Sequence, residues 1–206
     1  MGQPATGTVR PPNPLPPPSA WVRRWSHLVP ASGQVLDVAC GSGRHLYWFH
    51  ALGHPVSGVD RSPEALESVA PLARAGADFV QADIEGGPWP FPNRHFDAVV
   101  VTNYLWRPLL PTLLASIAPG GVLIYETFAH GNGRLGRPSR PEFLLQPGEL
   151  LDLCRPGLRV IAYEDGFLDA PARFVQRIAA IREKASADAD PPRHPLTEEP
   201  ATPVAG

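Results

Sequence analysis

Three aspartates and a pair of glycines carry the chemistry legible in this chain. Asp37 closes an apolar run and leads into Val38-Ala39-Cys40-Gly41-Ser42-Gly43. Asp60 closes His54-Pro55-Val56-Ser57-Gly58-Val59, 23 residues after Asp37, and Asp83 follows Asp78-Phe79-Val80-Gln81-Ala82. A carboxylate at the offset of Asp60 accepts hydrogen bonds from ribose hydroxyls in nucleotide-binding units. Gly41 and Gly43 carry no Cβ, so the backbone can turn sharply there and approach a ligand closely. Asp37 stands in the approach to that turn. Its charge would repel a pyrophosphate and suits a ligand with a cationic end, such as an amino-acid ammonium group.

These residues need a scaffold that brings three strand ends together. The order around Gly41 is strand, tight turn, helix, the opening of a βαβ unit. A dinucleotide turn would place a small residue three positions after Gly43, and Leu46 stands there instead. Strands are expected over 34–38, 55–60, 77–81, 96–102, 122–126, 158–164 and 174–181, with a turn around Asp165-Gly166 in the final pair. Helices are expected over 19–28, 44–52, 63–74, 109–118 and 147–154. Ser19 and Ser62 are the caps of the first and third, with Pro63 opening the latter. Gly86-Gly87-Pro88, Pro90 and Pro92 shorten the crossover before 96–102. Phe96-Asp97-Ala98-Val99-Val100-Val101-Thr102 reads as a strand buried on both faces. In an open parallel sheet the carboxyl ends of the strands share one edge, where ligands bind.

From roughly Trp21 to Lys184 the chain resembles the class I S-adenosylmethionine-dependent methyltransferases. Asp37-Val38-Ala39-Cys40-Gly41-Ser42-Gly43 is similar to that family's first motif, and Pro119-Gly120-Gly121 to its turn into strand five. The resemblance implies an α/β, Rossmann-like seven-stranded sheet of order 3-2-1-4-5-7-6, strand seven antiparallel, with helices on both faces. It implies S-adenosylmethionine as methyl donor. Asp37, Ala39, Gly41 and Gly43 would hold its methionine end, with Asn103 at the amino-acid group. Asp60 would hold the ribose and Asp83 with Ile84 the adenine, with Arg61 a further cofactor-binding candidate.

Within that family the Asp37-x-x-Cys40-Gly41-x-Gly43-Arg44 turn, Phe143-Leu144-Leu145 with Pro147-Gly148-Glu149-Leu150, and Arg173-Phe174-Val175-Gln176-Arg177-Ile178 resemble the tellurite-resistance and thiopurine-type small-molecule methyltransferases. This implies a small acceptor, anionic or with a soft sulfur, selenium or tellurium nucleophile. Tyr104, after strand four, would face the methyl group or serve as a core aromatic. Arg134, Arg137 and Arg140, at three-residue spacing in the loop after strand five, are candidates for a lid over an anion. A solvated loop in an arginine-rich chain is the alternative, since Lys184 is the only lysine. No catalytic side chain stands out. Methyl transfer needs a base only when the nucleophile must lose a proton.

Composition narrows the classes further. The chain has 206 residues, long enough for one domain with a substantial core. A net charge of −2 gives no bulk attraction to nucleic acid, and Thr102-Asn103-Tyr104-Leu105 is not the Asn/Asp-Pro-Pro-Tyr/Phe motif of amino-methylating nucleic-acid enzymes. Cys40 and Cys154 form no disulfide framework, which fits a reducing cytoplasm. The histidines lack zinc-site spacing, and no run is long and apolar enough for a membrane or secretion signal. Residues 1–18, rich in proline, and 186–206 are expected to be disordered flanks of a domain over 19–185. Oligomeric state is not encoded in any of these features. Two further functions are compatible with a nucleotide-binding sheet: a nicotinamide-dependent oxidoreductase, or a protein that binds S-adenosylmethionine without turnover.

Overall fold

Strand burial and alternation set the architecture. The computed structural model describes residues 9–184 and 192–196. Seven strands form one sheet of order β3-β2-β1-β4-β5-β7-β6. These are β1 (Val35–Val38), β2 (Val56–Asp60), β3 (Asp78–Gln81), β4 (Phe96–Thr102), β5 (Ile117–Phe128), β6 (Arg159–Asp169) and β7 (Ala172–Ile181). The pairings of β1 through β5 are parallel, and β7 is antiparallel to both β5 and β6. The order and the antiparallel strand are those expected from the sequence.

Successive side chains on a strand point to opposite faces, so each central strand feeds two cores. Leu36, Val38, Val99, Val101, Leu123 and Tyr125 lie on one side with α4 (Leu110–Ala115) and α5 (Glu149–Cys154). Val35, Ala98, Val100, Val122 and Ile124 lie on the other, against α1 (Ala20–Trp25), α2 (Arg44–Ala51) and α3 (Pro63–Arg74). Among the described residues no helix is long and apolar enough to cross a membrane.

Two expected boundaries need correction. The turn of the last hairpin is not at Asp165-Gly166. Both residues lie in β6, where Gly166 pairs with Val175, and the chain reverses at Ala170-Pro171. The Phe167 and Phe174 rings, 5.0 Å apart across the two strands, extend the ladder beyond the turn-forming pair. The helix expected over 109–118 ends at Ala115, and β5 begins at Ile117, ahead of Pro119-Gly120-Gly121.

The expected disordered flanks are only partly within the described residues; 1–8, 185–191 and 197–206 lie outside them. Val9 and Leu15 are half-buried against the core that holds α1. His27 Nε2 lies 3.0 Å from the Pro195 carbonyl.

One ion pair fixes the wall beyond β4. The Arg107 guanidinium grips both oxygens of Glu149, at 2.7 and 2.9 Å, and donates to the carbonyls of Glu142 and Leu144. Burial pushes the Glu149 carboxyl up, but the Arg107 hydrogen bonds and the Gln146 amide outweigh it and leave the group below its usual range.

Candidate functional site at the carboxyl edge of the sheet

The loop after β1 is built for close approach. Ala39, Gly41 and Gly43 have φ of 53°, 52° and 80°. A Cβ at Gly41 would meet nothing within 4 Å, so the turn faces open space. A Cβ at Gly43 would stand 2.5 Å from Val69 Cγ1, so glycine is also needed there for α2 to pack on α3. Asp60 shapes the same loop from β2. One oxygen accepts from the Gly41 amide at 2.7 Å and the other from the Ser62 amide at 2.9 Å. Each oxygen keeps a second lone pair for a ligand hydroxyl.

A cavity of about 150 Å³ lies at these strand ends, lined by Ala39, Asp60, Arg61, Asp83, Ile84 and Tyr104 among others. Six residues singled out from sequence thus share one hollow. The amides of Glu85 and Gly86 donate to Asp83 and hold its carboxyl below the usual range. Burial, then the Glu85 and Asp83 charges, push the Tyr104 phenol up, so it is neutral at physiological pH. Burial, and after it the charges of Asp37 and Asp60, push the Cys40 thiol well above its ordinary value. That environment suppresses a thiolate nucleophile.

A second cavity, about 710 Å³, opens between the α1 leader, the loop after β5 and the tip of the last hairpin. Asn103 lines it, one residue before Tyr104. Among the described residues its arginines are Arg23, Arg44, Arg137 and Arg173, and its one acid is Glu126. Of the three loop arginines chosen from sequence, only Arg137 is at this wall. Arg140 turns away to pair with Glu142 and stack on Phe143, and Arg134 is exposed outside the lining. Arg44 and Arg173 were not candidates from sequence. Each stands at the edge of a stretch that carries the family resemblance, but only the packing of α2 and the reach of the long hairpin bring them to one cavity.

Behind both cavities runs a buried polar chain centred on Ser19. Its amide donates to His45 Nε2 at 3.2 Å, so the other ring nitrogen carries the proton and faces Asp37 at 3.7 Å. Asp37 and His45 are each 1% exposed. The Ser19 hydroxyl caps α1 by accepting from the Trp21 amide at 3.1 Å, and donates to Glu126 at 3.0 Å. Ser19→Ala removes a cap and a donor to a buried carboxylate. It is expected to cost about 2 kcal/mol and to lower the melting temperature by roughly 4–8 °C. Differential scanning calorimetry checks this, with Ser19→Thr as the variant that keeps the hydroxyl; a drop shared equally by both would remove the hydroxyl from the account.

Residues 35–121 match the profile of a methyltransferase domain. This part of the chain carries a methyltransferase domain. The matched segment runs from β1 into β5 and so contains the first cavity. The chain is 38% identical over 104 residues to a trans-aconitate 2-methyltransferase of Paracidovorax citrulli, covering 47% of this chain and 39% of that protein. It is 32% identical over 105 residues to a malonyl-[acyl-carrier protein] O-methyltransferase of Serratia marcescens, covering 48% and 40%. The chain therefore spans about two fifths of the length of these curated relatives. The crystal structure of TehB from Haemophilus influenzae shares the fold, with a TM-score of 0.62 at 18% identity over 77% of this chain and 60% of that one. The match to a methyltransferase domain over these residues speaks against the nicotinamide-dependent reading.

Proposed function

We propose that the protein transfers a methyl group from S-adenosylmethionine to a small anionic acceptor held in the larger cavity. The observation that carries this reading is the loop after β4. Asn103 lines the arginine-rich cavity and Tyr104 the acid-lined one, so two chemically opposite sites meet at consecutive residues.

The residues fit the cofactor. Gly41 leaves open space in front of the turn, Asp60 and Asp83 present free lone pairs to hydroxyl and amino groups, and Ile84 offers an apolar face. In this reading Asp37, Ala39, Gly41, Gly43 and Asn103 hold the methionine end, Asp60 and Arg61 the ribose, and Asp83 and Ile84 the adenine. When bound, the cofactor supplies a methyl group on a positively charged sulfur. The chain has then to align an acceptor atom and exclude water. An acceptor that is already an oxyanion or a thiolate needs no proton removed. This agrees with Glu126, the one acid of the larger cavity among the described residues, being engaged by Ser19 and Arg177 rather than poised as a base. The name of the Paracidovorax citrulli relative, with its carboxylate acceptor, supports an anion.

The test is release of S-adenosylhomocysteine across a panel of small acids and their neutral amides. Turnover with acids and none with the matching amides is expected. Binding of S-adenosylmethionine without release on any acceptor would favour the non-catalytic binding protein, and no binding by calorimetry would sink the reading altogether.

A further inference from the structure

We infer that the acceptor is a polyanion, carrying at least two carboxylate or phosphate groups, gripped by two separate pairs of arginines lining the larger cavity. This rests on the methyltransferase reading above and deepens it. The first pair is mounted on the helical layer. Arg23 of α1 lies 5.5 Å over the Trp48 ring of α2, and Arg44 at the start of α2 donates to the Pro17 carbonyl. The second pair is mounted on other elements of the lining. Arg137 belongs to the loop after β5 and Arg173 to the start of β7. Asn132 ties these two segments together by donating to the Pro138 carbonyl and accepting from the Phe174 amide.

None of the four has a carboxylate within ion-pair distance among the described residues, although their neighbours Arg24, Arg140 and Arg177 all do. Arg23, Arg44 and Arg173 are nonetheless half-buried, and the Arg23 Nε is fully shielded without a hydrogen-bond partner. Unneutralised cations sharing a hollow repel each other and focus a positive potential into it. Glu126 does not offset them, because it is already engaged by Arg177 and Ser19. A guanidinium matches carboxylate and phosphate geometry by two parallel hydrogen bonds, so two arginine pairs call for two anionic groups. At about 710 Å³ the cavity is of ligand size, with room for a small polyacid.

The experiment is calorimetry on the full chain, with and without S-adenosylhomocysteine. The probes are succinamide, propionate, succinate, propane-1,2,3-tricarboxylate and pyrophosphate. Succinate and the tricarboxylate are expected to bind at least about tenfold more tightly than propionate, and succinamide not at all. Arg23→Gln and Arg173→Gln, one from each pair, should each weaken the polyacids by about tenfold, the low end of a hydrogen bond to a charged group. Propionate, held by one pair, should respond to only one of them. Pyrophosphate ahead of succinate would assign phosphate rather than carboxylate groups. Succinate binding no better than propionate, or indifference of the polyacids to both substitutions, would overturn the inference. The titration with S-adenosylhomocysteine alone judges the methyltransferase reading separately, since neither variant residue lines the cavity of Asp60 and Asp83.

Discussion

Asp60→Ala is expected to weaken binding of S-adenosylmethionine and S-adenosylhomocysteine by on the order of 1–3 kcal/mol, tenfold for each 1.4 kcal/mol. Two losses combine in that figure. The carboxylate presents lone pairs into the smaller cavity, where the ribose is proposed to lie. It also accepts the amides of Gly41 and Ser62, and so holds the turn after β1 and the start of α3 in register. Asp60→Asn separates the two. The amide keeps one acceptor oxygen for a backbone N–H but loses the charge, so an intermediate affinity is expected. Titration calorimetry on both variants is the measurement, with melting curves to confirm that each is folded. Unchanged affinity in Asp60→Ala would remove Asp60 from the cofactor site and return it to a loop-organising role.

The acid at each strand end was legible because it depends on local pattern alone: an apolar run, then a carboxylate, then a turn. Ser19 was legible as a cap for the same reason. What the pattern could not show was how far side chains from distant segments converge. The three-residue spacing of Arg134, Arg137 and Arg140 implies one face only in a regular element. In the folded loop short 3₁₀ turns at Asn132–Arg134 and Pro141–Phe143 send the three side chains to different places. Arg44 and Arg173 are 129 positions apart and meet at one cavity because α2 packs beside α1 and the last hairpin runs to Ala170-Pro171. The turn at Asp165-Gly166 failed as an expectation because cross-strand packing of Phe167 on Phe174 overrode the local turn preference. His45 carried no motif of its own; only the docked position of α1 turns it into the acceptor for Ser19.

Arg177→Met should be the most destabilising of these substitutions. The guanidinium sits at the junction of three elements. It pairs with Glu126 of β5 at 3.3 Å and Glu164 of β6, and lies 4.9 Å over the Trp21 ring of α1. Glu126 is 4% exposed, so removing its cation leaves a buried charge with only the Ser19 hydroxyl. Breaking a buried pair from one side costs about 3–5 kcal/mol. The low end applies here, because Arg177 is itself 17% exposed and Glu164 is 43% exposed and can be solvated. About 3 kcal/mol corresponds to a fall in melting temperature of roughly 6–12 °C in a domain of this size. Adding Glu126→Gln to Arg177→Met should recover more than half of the loss, since the double variant no longer buries an unpaired charge. The two single variants and the double variant, melted side by side, close the cycle. The same substitution loosens α1, which carries Arg23 at the larger cavity, while the smaller cavity draws none of its lining from α1. The Michaelis constant for an acceptor should therefore rise in Arg177→Met while affinity for S-adenosylhomocysteine stays within about twofold. Failure of Glu126→Gln to restore any stability would show that Arg177 acts through Trp21 and Glu164 alone, and that the buried carboxylate is satisfied without it.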